Sequence, residues 1–277
     1  MAITNFIPTV WSENLYNALE KKYIGVANCN RDYEGEIKNI GSVVKICGVG
    51  KVIVDDYSKN TDIYSPQTLS DTVTELSINR AKFFNFQIDD IDKVQCSPKL
   101  MDAAMRAAAS SIAEEADRHV YALYLEAGTK ITHNDANDGK LLDTIIKARQ
   151  TLYENNVTDS SEVVLEVTPG IASIILKEKL AMTGSAETFE NGCIGYIAGC
   201  KVYVSNNIHT VVGTELVSHK CIMRTKRAIT FADQISEINA YRPEKRFADA
   251  VKGLHLYGAK VVYPNEMVTL ELAISKS

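Results

Sequence analysis

Several residue groupings have the right types for chemistry, and each fails on spacing or context. Ser42-Val43-Val44-Lys45 has the form S-x-x-K, which works when a helix N-terminus presents the serine to the lysine. Here it lies in an alternating apolar pattern that predicts a strand, where positions 42 and 45 face opposite sides. Asn134 to Gly139 resembles a calcium loop. With Gly139 in the sixth place, the third is Ala136 and the twelfth Ile145, so the oxygen ligand set is missing and a helix-capping loop fits better. Cys193, Cys200, His209, His219 and Cys221 are zinc-ligand types within one segment, but their separations match no zinc knuckle. Asp89, Asp90 and Asp92 beside Lys93 are suited to acid–base work in type; as a short charge run they read as a salt-bridged turn.

Two basic clusters, Arg224/Lys226/Arg227 and Arg242/Lys245/Arg246, suit a phosphate backbone or an acidic neighbour, with surface ion pairing the plainer reading. The phosphate-binding and nucleophile-elbow motifs G-x-x-x-x-G-K-[ST], G-x-G-x-x-G and G-x-S-x-G do not occur. The histidines at 119, 133, 209, 219 and 255 show no triad spacing. The sequence therefore predicts no catalytic, cofactor-binding or metal residues, and no enzyme.

The elements that would position such residues are more informative. Trp11, Leu15, Leu19 and Tyr23 follow a helical spacing after Pro8, which predicts a short amphipathic helix that must dock on something to be stable. From Gly41 the period becomes two: Val44, Ile46 and Val49, then Val52 and Val54, with a turn expected at Gly48 to Gly50. A polar stretch from Asp55 to Ser70 precedes further strand signal at Val73, Leu76, Ile78, Phe84, Phe86 and Ile88. Ser97-Pro98 opens a predicted helix to about Ala127, with one stripe of Met101, Met105, Ala108, Ile112, Ala116, Val120 and Leu123. At 1.5 Å per residue it would run ~45 Å, longer than the ~19 Å radius of gyration of a compact chain this size, which points to an elongated subunit.

A polar loop is expected over Thr129 to Asp138, then a helix over Lys140 to Glu154 with Leu142, Ile145, Ile146 and Leu152 inward. A strand at Val163 to Val167, a helix from Ile171 to Leu180, a flexible loop over 183–193, and a hairpin turning at Gly199 follow. Strands near 216–223, 228–231 and 251–272 complete an α+β chain.

Composition bounds the function. The 277 residues carry 30 Lys+Arg against 35 Asp+Glu, a net charge of −5, which excludes a general electrostatic grip on nucleic acid or an anionic membrane. No apolar run approaches the ~20 residues that span a bilayer, and Met1 to Asn5 opens no signal peptide. The six cysteines are expected as free thiols, and the sequon Asn156-Val157-Thr158 carries no meaning in a protein that is not secreted.

A docking arm, a long ribbon, a long helix and a second α/β module suit a subunit that builds with copies of itself. The residues also resemble a family. Phe6-Ile7-Pro8-Thr9-Val10-Trp11-Ser12, Asn30 to Ile37, Gly41-Ser42-Val43-Val44-Lys45-Ile46, Asp55-Asp56-Tyr57, Ala81 to Asp90, Pro98 to Ala104 and Gly253 to Val262 together look like the major capsid (coat) proteins of tailed bacteriophages, with the Hong Kong 97-type fold. The similarity runs over nearly the whole chain, and the order of the segments carries it.

The resemblance implies an N-terminal arm over residues 1–36, an E-loop β-ribbon over 37–92, a peripheral domain over 93–154 and 225–277 with a spine helix, and an axial domain over 155–224. It implies an icosahedral virion shell built through pentamers and hexamers and enclosing double-stranded DNA without specific binding. No membrane is involved, and assembly would occur in the bacterial host cytoplasm. A separate scaffolding protein, a portal and decoration proteins are partners it allows; no lysine–asparagine cross-link is predicted. Candidate inter-subunit contacts are Trp11, Arg31, Asp32, Tyr33, Lys45, Lys51, Asp55 and Asp56, with Trp11 and Tyr33 as arm anchors because aromatics often dominate interfaces. Three other readings stay open from the sequence: an encapsulin-like compartment shell, an unrecognised soluble α+β enzyme, and a tail or other virion protein.

Overall fold

The computed structural model describes residues 23–33, 43–49, 54–57, 59, 62, 71–90, 100–157, 162–178 and 192–275. Trp11 and Lys51, the expected helix before Tyr23, the Ser97-Pro98 cap and the loop expected over 183–191 lie outside the described residues.

The strands are β1 (Val43–Val49), β2 (Asp71–Ser77), β3 (Arg80–Asp89), β4 (Thr129–His133), β5 (Val163–Val167), β6 (Cys193–Ile197), β7 (Cys200–Val204), β8 (Thr210–Val212), β9 (Leu216–Thr225), β10 (Ile229–Tyr241), β11 (Ala248–Val261) and β12 (Met267–Ser275). Among the described residues the α-helices are α1 (Leu100–Ala122), α2 (Leu141–Glu154) and α3 (Pro169–Lys177). They form three sheets: the ribbon β1-β2, an antiparallel β10-β11-β3 sheet, and a mixed sheet β4-β12-β9-β5-β7-β6 with β8 on β9.

Helix α1 lies on the three-stranded sheet. Met105, Ala109, Ile112, Ala113, Ala116 and Val120 are its buried stripe, packed with Ile229, Phe231, Val251 and Tyr257. The stripe follows the spacing read from the sequence because small alanines let a helix approach a sheet closely. The α-helix ends at Ala122, short of the expected end at about Ala127; a 3₁₀ turn over Leu123–Glu126 follows, and the chain extends at Ala127. A second core lies between the mixed sheet and helices α2 and α3, with Leu141, Ile145, Leu152, Ile171 and Ile175 over Leu165, Val202, Met223 and Leu270. Strand β5 is buried at all five positions, as a central strand covered on both faces should be.

Four sequence expectations are corrected. The turn expected at Gly48 to Gly50 does not return the chain onto itself: β1 pairs with β2, Val49 opposite Asp71 and Val43 opposite Ser77, and Val54 lies outside any strand. The alternation was right and the partner wrong, because Leu76 supplies the apolar cross-strand neighbour that Val44 needs. Part of the polar loop at 129–138 is strand β4, parallel to β12; its sole large apolar side chain, Ile131, is enough when hydrogen bonds to β12 supply the rest. Ile146 is exposed, not inward, and Arg149 is buried in its stead. Tyr23 is not helical; it is a buried residue of irregular backbone.

The β6–β7 turn is as read. Ala198 and Gly199 both have positive φ, 49° and 78°, the requirement of a type I′ hairpin turn.

Candidate assembly interface

Among the described residues, three sites could meet other chains: the root of the N-terminal segment, the ribbon, and the outer features of the three-stranded sheet.

The root is Tyr23 to Arg31, with a single 3₁₀ turn at Val26–Asn28. It is held by side chains far away in sequence. Asp117 on α1 accepts the Val26 amide at 2.9 Å and the Ile24 amide at 3.1 Å. Arg224 on β9 donates to the Asn28 carbonyl at 2.7 Å and the Gly25 carbonyl at 2.8 Å. The same guanidinium binds Glu166 on β5 through Nε at 3.0 Å and a second nitrogen at 3.1 Å, a bidentate pair with both side chains at 0% exposure. Asn28 Nδ2 closes the cluster on Glu166 at 3.2 Å. A third acid, Asp233 on β10, accepts the Tyr23 hydroxyl at 3.1 Å, lies 3.0 Å from His255 Nε2, and pairs with Arg31 at 3.5 Å. Asn30 then bridges the β10 edge, donating to the Ile229 carbonyl and accepting from the Phe231 amide.

Burial sets the electrostatics. It pushes the Asp117 carboxyl up to about 6, against the pull of the Val26, Ile24 and Gly25 amides. Burial would also raise Asp233, but the hydrogen bond and charge of His255, with Arg31, hold it below its ordinary value. Burial would lower Arg224, yet its anionic surroundings, Glu166 among them, raise it, so it stays charged.

The ribbon base packs through Val44, Ile46, Leu76 and Ile78 onto Ala232 and Leu256, with Tyr33 beside them. Its other face, with Lys45 opposite Glu75 and Val73 nearby, is exposed.

Strand β3 alternates: Phe84 and Phe86 stack 6.0 Å apart towards α1, and Phe83 points outward at 80% exposure. An open, largely apolar groove of about 600 Å³ runs between β3 and α1, lined by Phe84, Phe86, Ala104, Ala108 and Ile112. At the far end of the sheet, Phe247 is 84% exposed.

Of the predicted contact residues, Arg31 is spent on Asp233 and Tyr33 packs on the ribbon base. Asp32, Lys45, Asp55 and Asp56 are exposed. The root cluster is not apparent in the sequence: Arg224 reads there as part of a surface basic cluster but is fully buried, while Arg227 of the same cluster makes the expected surface ion pair, with Glu266 at 2.7 Å. The flanking run Cys221-Ile222-Met223 was the available signal that position 224 faces a core.

The chemical candidates resolve into structural contacts. Among the described residues no group of three His, Cys, Asp or Glu converges to hold a metal. His209 stacks on Tyr124 and His219 lies 3.0 Å from Thr168 Oγ1. Asp138 accepts the Lys140 amide at 2.7 Å and lies 3.1 Å from His133, so the 134–139 loop closes in a turn ahead of α2; it does not cap the helix as expected, because the N-cap residue Lys140 makes no side-chain cap bond. Arg242 pairs with Asp90.

No protein-family model and no curated protein sequence matches the chain. Solved structures do. A chain of Mycobacterium phage Che8 is 30% identical, with 90% of each chain covered and a TM-score of 0.69. The capsid of Ralstonia phage GP4 is 11% identical, covering 93% of this chain and 90% of that one, with a TM-score of 0.68. A virus-like particle from Pyrococcus furiosus is 11% identical, covering 96% and 100%, with a TM-score of 0.56.

Proposed function

Since the chain belongs to the major capsid proteins of tailed bacteriophages, we propose that it is the repeating subunit of an icosahedral virion shell, assembling through pentamers and hexamers around double-stranded DNA. The observation that carries this is the 30% identity over 90% of both chains, on an α+β fold shared with other phage capsids. Its role is structural and not enzymatic.

The geometry supports self-assembly. A two-stranded ribbon is marginal alone, and Phe83 and Phe247, more than three-quarters exposed, gain only when a neighbour covers them. The net charge of −5 limits adhesion to the enclosed DNA.

On this reading residues 1–36 are the arm, 37–92 the E-loop ribbon, 93–154 with 225–277 the peripheral domain, and 155–224 the axial domain. The pairing of β3 with β11 supports a join between the end of the 37–92 segment and the peripheral domain. Trp11, Asp32, Tyr33, Lys45, Lys51, Asp55 and Asp56 belong to the inter-subunit contacts, with Arg31 bracing the arm root. A separate scaffolding protein, a portal and decoration proteins complete the particle, and assembly takes place in the host cytoplasm. The compartment reading has only a shared fold behind it, at 11% identity.

The test is negative-stain electron microscopy with sedimentation velocity on the purified protein, alone and with its candidate scaffold. Shells, pentamers or hexamers are expected. A monomer at high concentration under every condition would overturn the reading.

A further inference from the structure

The Glu166–Arg224 pair is a poor device for joining two sheet strands. Burying two charges costs heavily, and apolar residues of similar volume usually serve a core as well. Its strand neighbours do so: Cys221, Ile222 and Met223 on β9 and Leu165 on β5 are all buried and apolar. What the pair does that they cannot is present donors and acceptors outward from the sheet. Two guanidinium nitrogens hold the Gly25 and Asn28 carbonyls and a carboxylate oxygen accepts from the Asn28 side-chain Nδ2. From α1, Asp117 holds the amides of the same turn. The backbone is also seated closely: a Cβ on Gly25 would fall 2.9 Å from the Tyr121 ring. Groups on β5, β9 and α1 thus converge on one short turn.

We propose that Glu166, Arg224 and Asp117 form an arm-positioning latch, which fixes where and in what direction the chain N-terminal to Tyr23 leaves the subunit, so that shell assembly depends on it. The proposal rests on the shell-subunit reading. These are positioning residues: they act on neighbours only through the arm. One latch joins the three-stranded sheet's helix to the mixed sheet, so the arm's departure is referenced to both.

The test replaces the pair together, Glu166→Leu with Arg224→Met, in the full-length chain. An apolar pair should leave the melting point within about 4 °C of wild type, the shift that ~1 kcal/mol gives at this size. Amide exchange at residues 24–30, measured on unassembled subunit, should rise about 100-fold through loss of the charge-assisted bonds, and shell yield should collapse. Gly25→Ala, which keeps the ion pair but lifts the turn from Tyr121, should reproduce the assembly defect. Unchanged exchange at 24–30 in the double variant overturns the proposal. So does normal shell formation by a variant whose turn has been freed. If wild-type protein forms no shells, the shell reading fails, while exchange still decides whether the latch holds the turn.

Discussion

Gly258 on β11 rests against the Ser77 carbonyl at the foot of the ribbon, closer than any Cβ could approach. Gly253, five residues earlier on the same strand, faces the Phe84 ring just as closely. The two contacts differ in what can yield. Ser77 is backbone, fixed by its ladder pairing with Val43. The Phe84 ring borders the open groove beside α1 and has space to swing into. Gly258→Ala should therefore destabilise the subunit by about 1–3 kcal/mol, the cost of overpacking. Gly253→Ala should cost less and instead narrow the groove. Thermal melting of both variants checks the order; equal losses would show that the groove gives Phe84 no room.

Much of this architecture is legible in the sequence where contacts are local. The stripe on α1, the positive-φ turn at Ala198-Gly199 and the apolar run of β5 each follow from residues within one element. The root cluster is not legible, since Asp117, Glu166 and Arg224 meet the root from 91 to 199 positions away. A charge-cluster reading locates Arg224 in the chain but not on a face. The ribbon shows the same limit: alternation in Val43–Val49 is plain, yet its partner is chosen by apolar register across a long connection, not by the nearest turn signal.

Asp117 should give the subunit an unusual pH dependence. Burial raises its carboxyl from 3.8 to about 6 in the folded state. Between those values the folded chain binds the proton and the unfolded chain does not, so this contribution is full below about pH 4 and is lost as pH rises through about 6. Its size is at most about 3 kcal/mol at 1.36 kcal/mol per pKa unit. Asp117→Asn removes the titration and leaves one root amide without an acceptor, costing about 1–3 kcal/mol. Denaturant unfolding of both proteins should show a larger cost of substitution at pH 4 than at pH 7. A cost that grows with pH would refute the assignment.

The buried thiols should be inert in the folded chain. Burial pushes Cys29 and Cys200 up to about 11 and Cys221 up to about 12, and all three are solvent-excluded free cysteines. Since the thiolate is the nucleophile, an alkylating reagent at pH 8 should leave these three unmodified on peptide mapping and label them fully in denaturant. Ready labelling of Cys29 in native protein would mean that the root turn opens at equilibrium.

Phe83 separates folding from assembly. Its ring is 80% exposed, opposite Leu254 on the outer face of the three-stranded sheet, so the isolated subunit gains little from it. Phe83→Ser should change unfolding free energy by no more than about 0.5 kcal/mol, as surface substitutions usually do. On the shell-subunit reading a neighbour is expected to cover the same side chain, and an aromatic anchor at an interface is commonly worth ~2 kcal/mol or more. That loss recurs at every copy, so a modest defect per contact becomes a large one for the particle. Light scattering during assembly should show a raised critical concentration with an unchanged melting curve. Wild-type assembly by Phe83→Ser would place this face on the bare surface of the particle; a lowered melting curve would instead place Phe83 in the subunit's own packing.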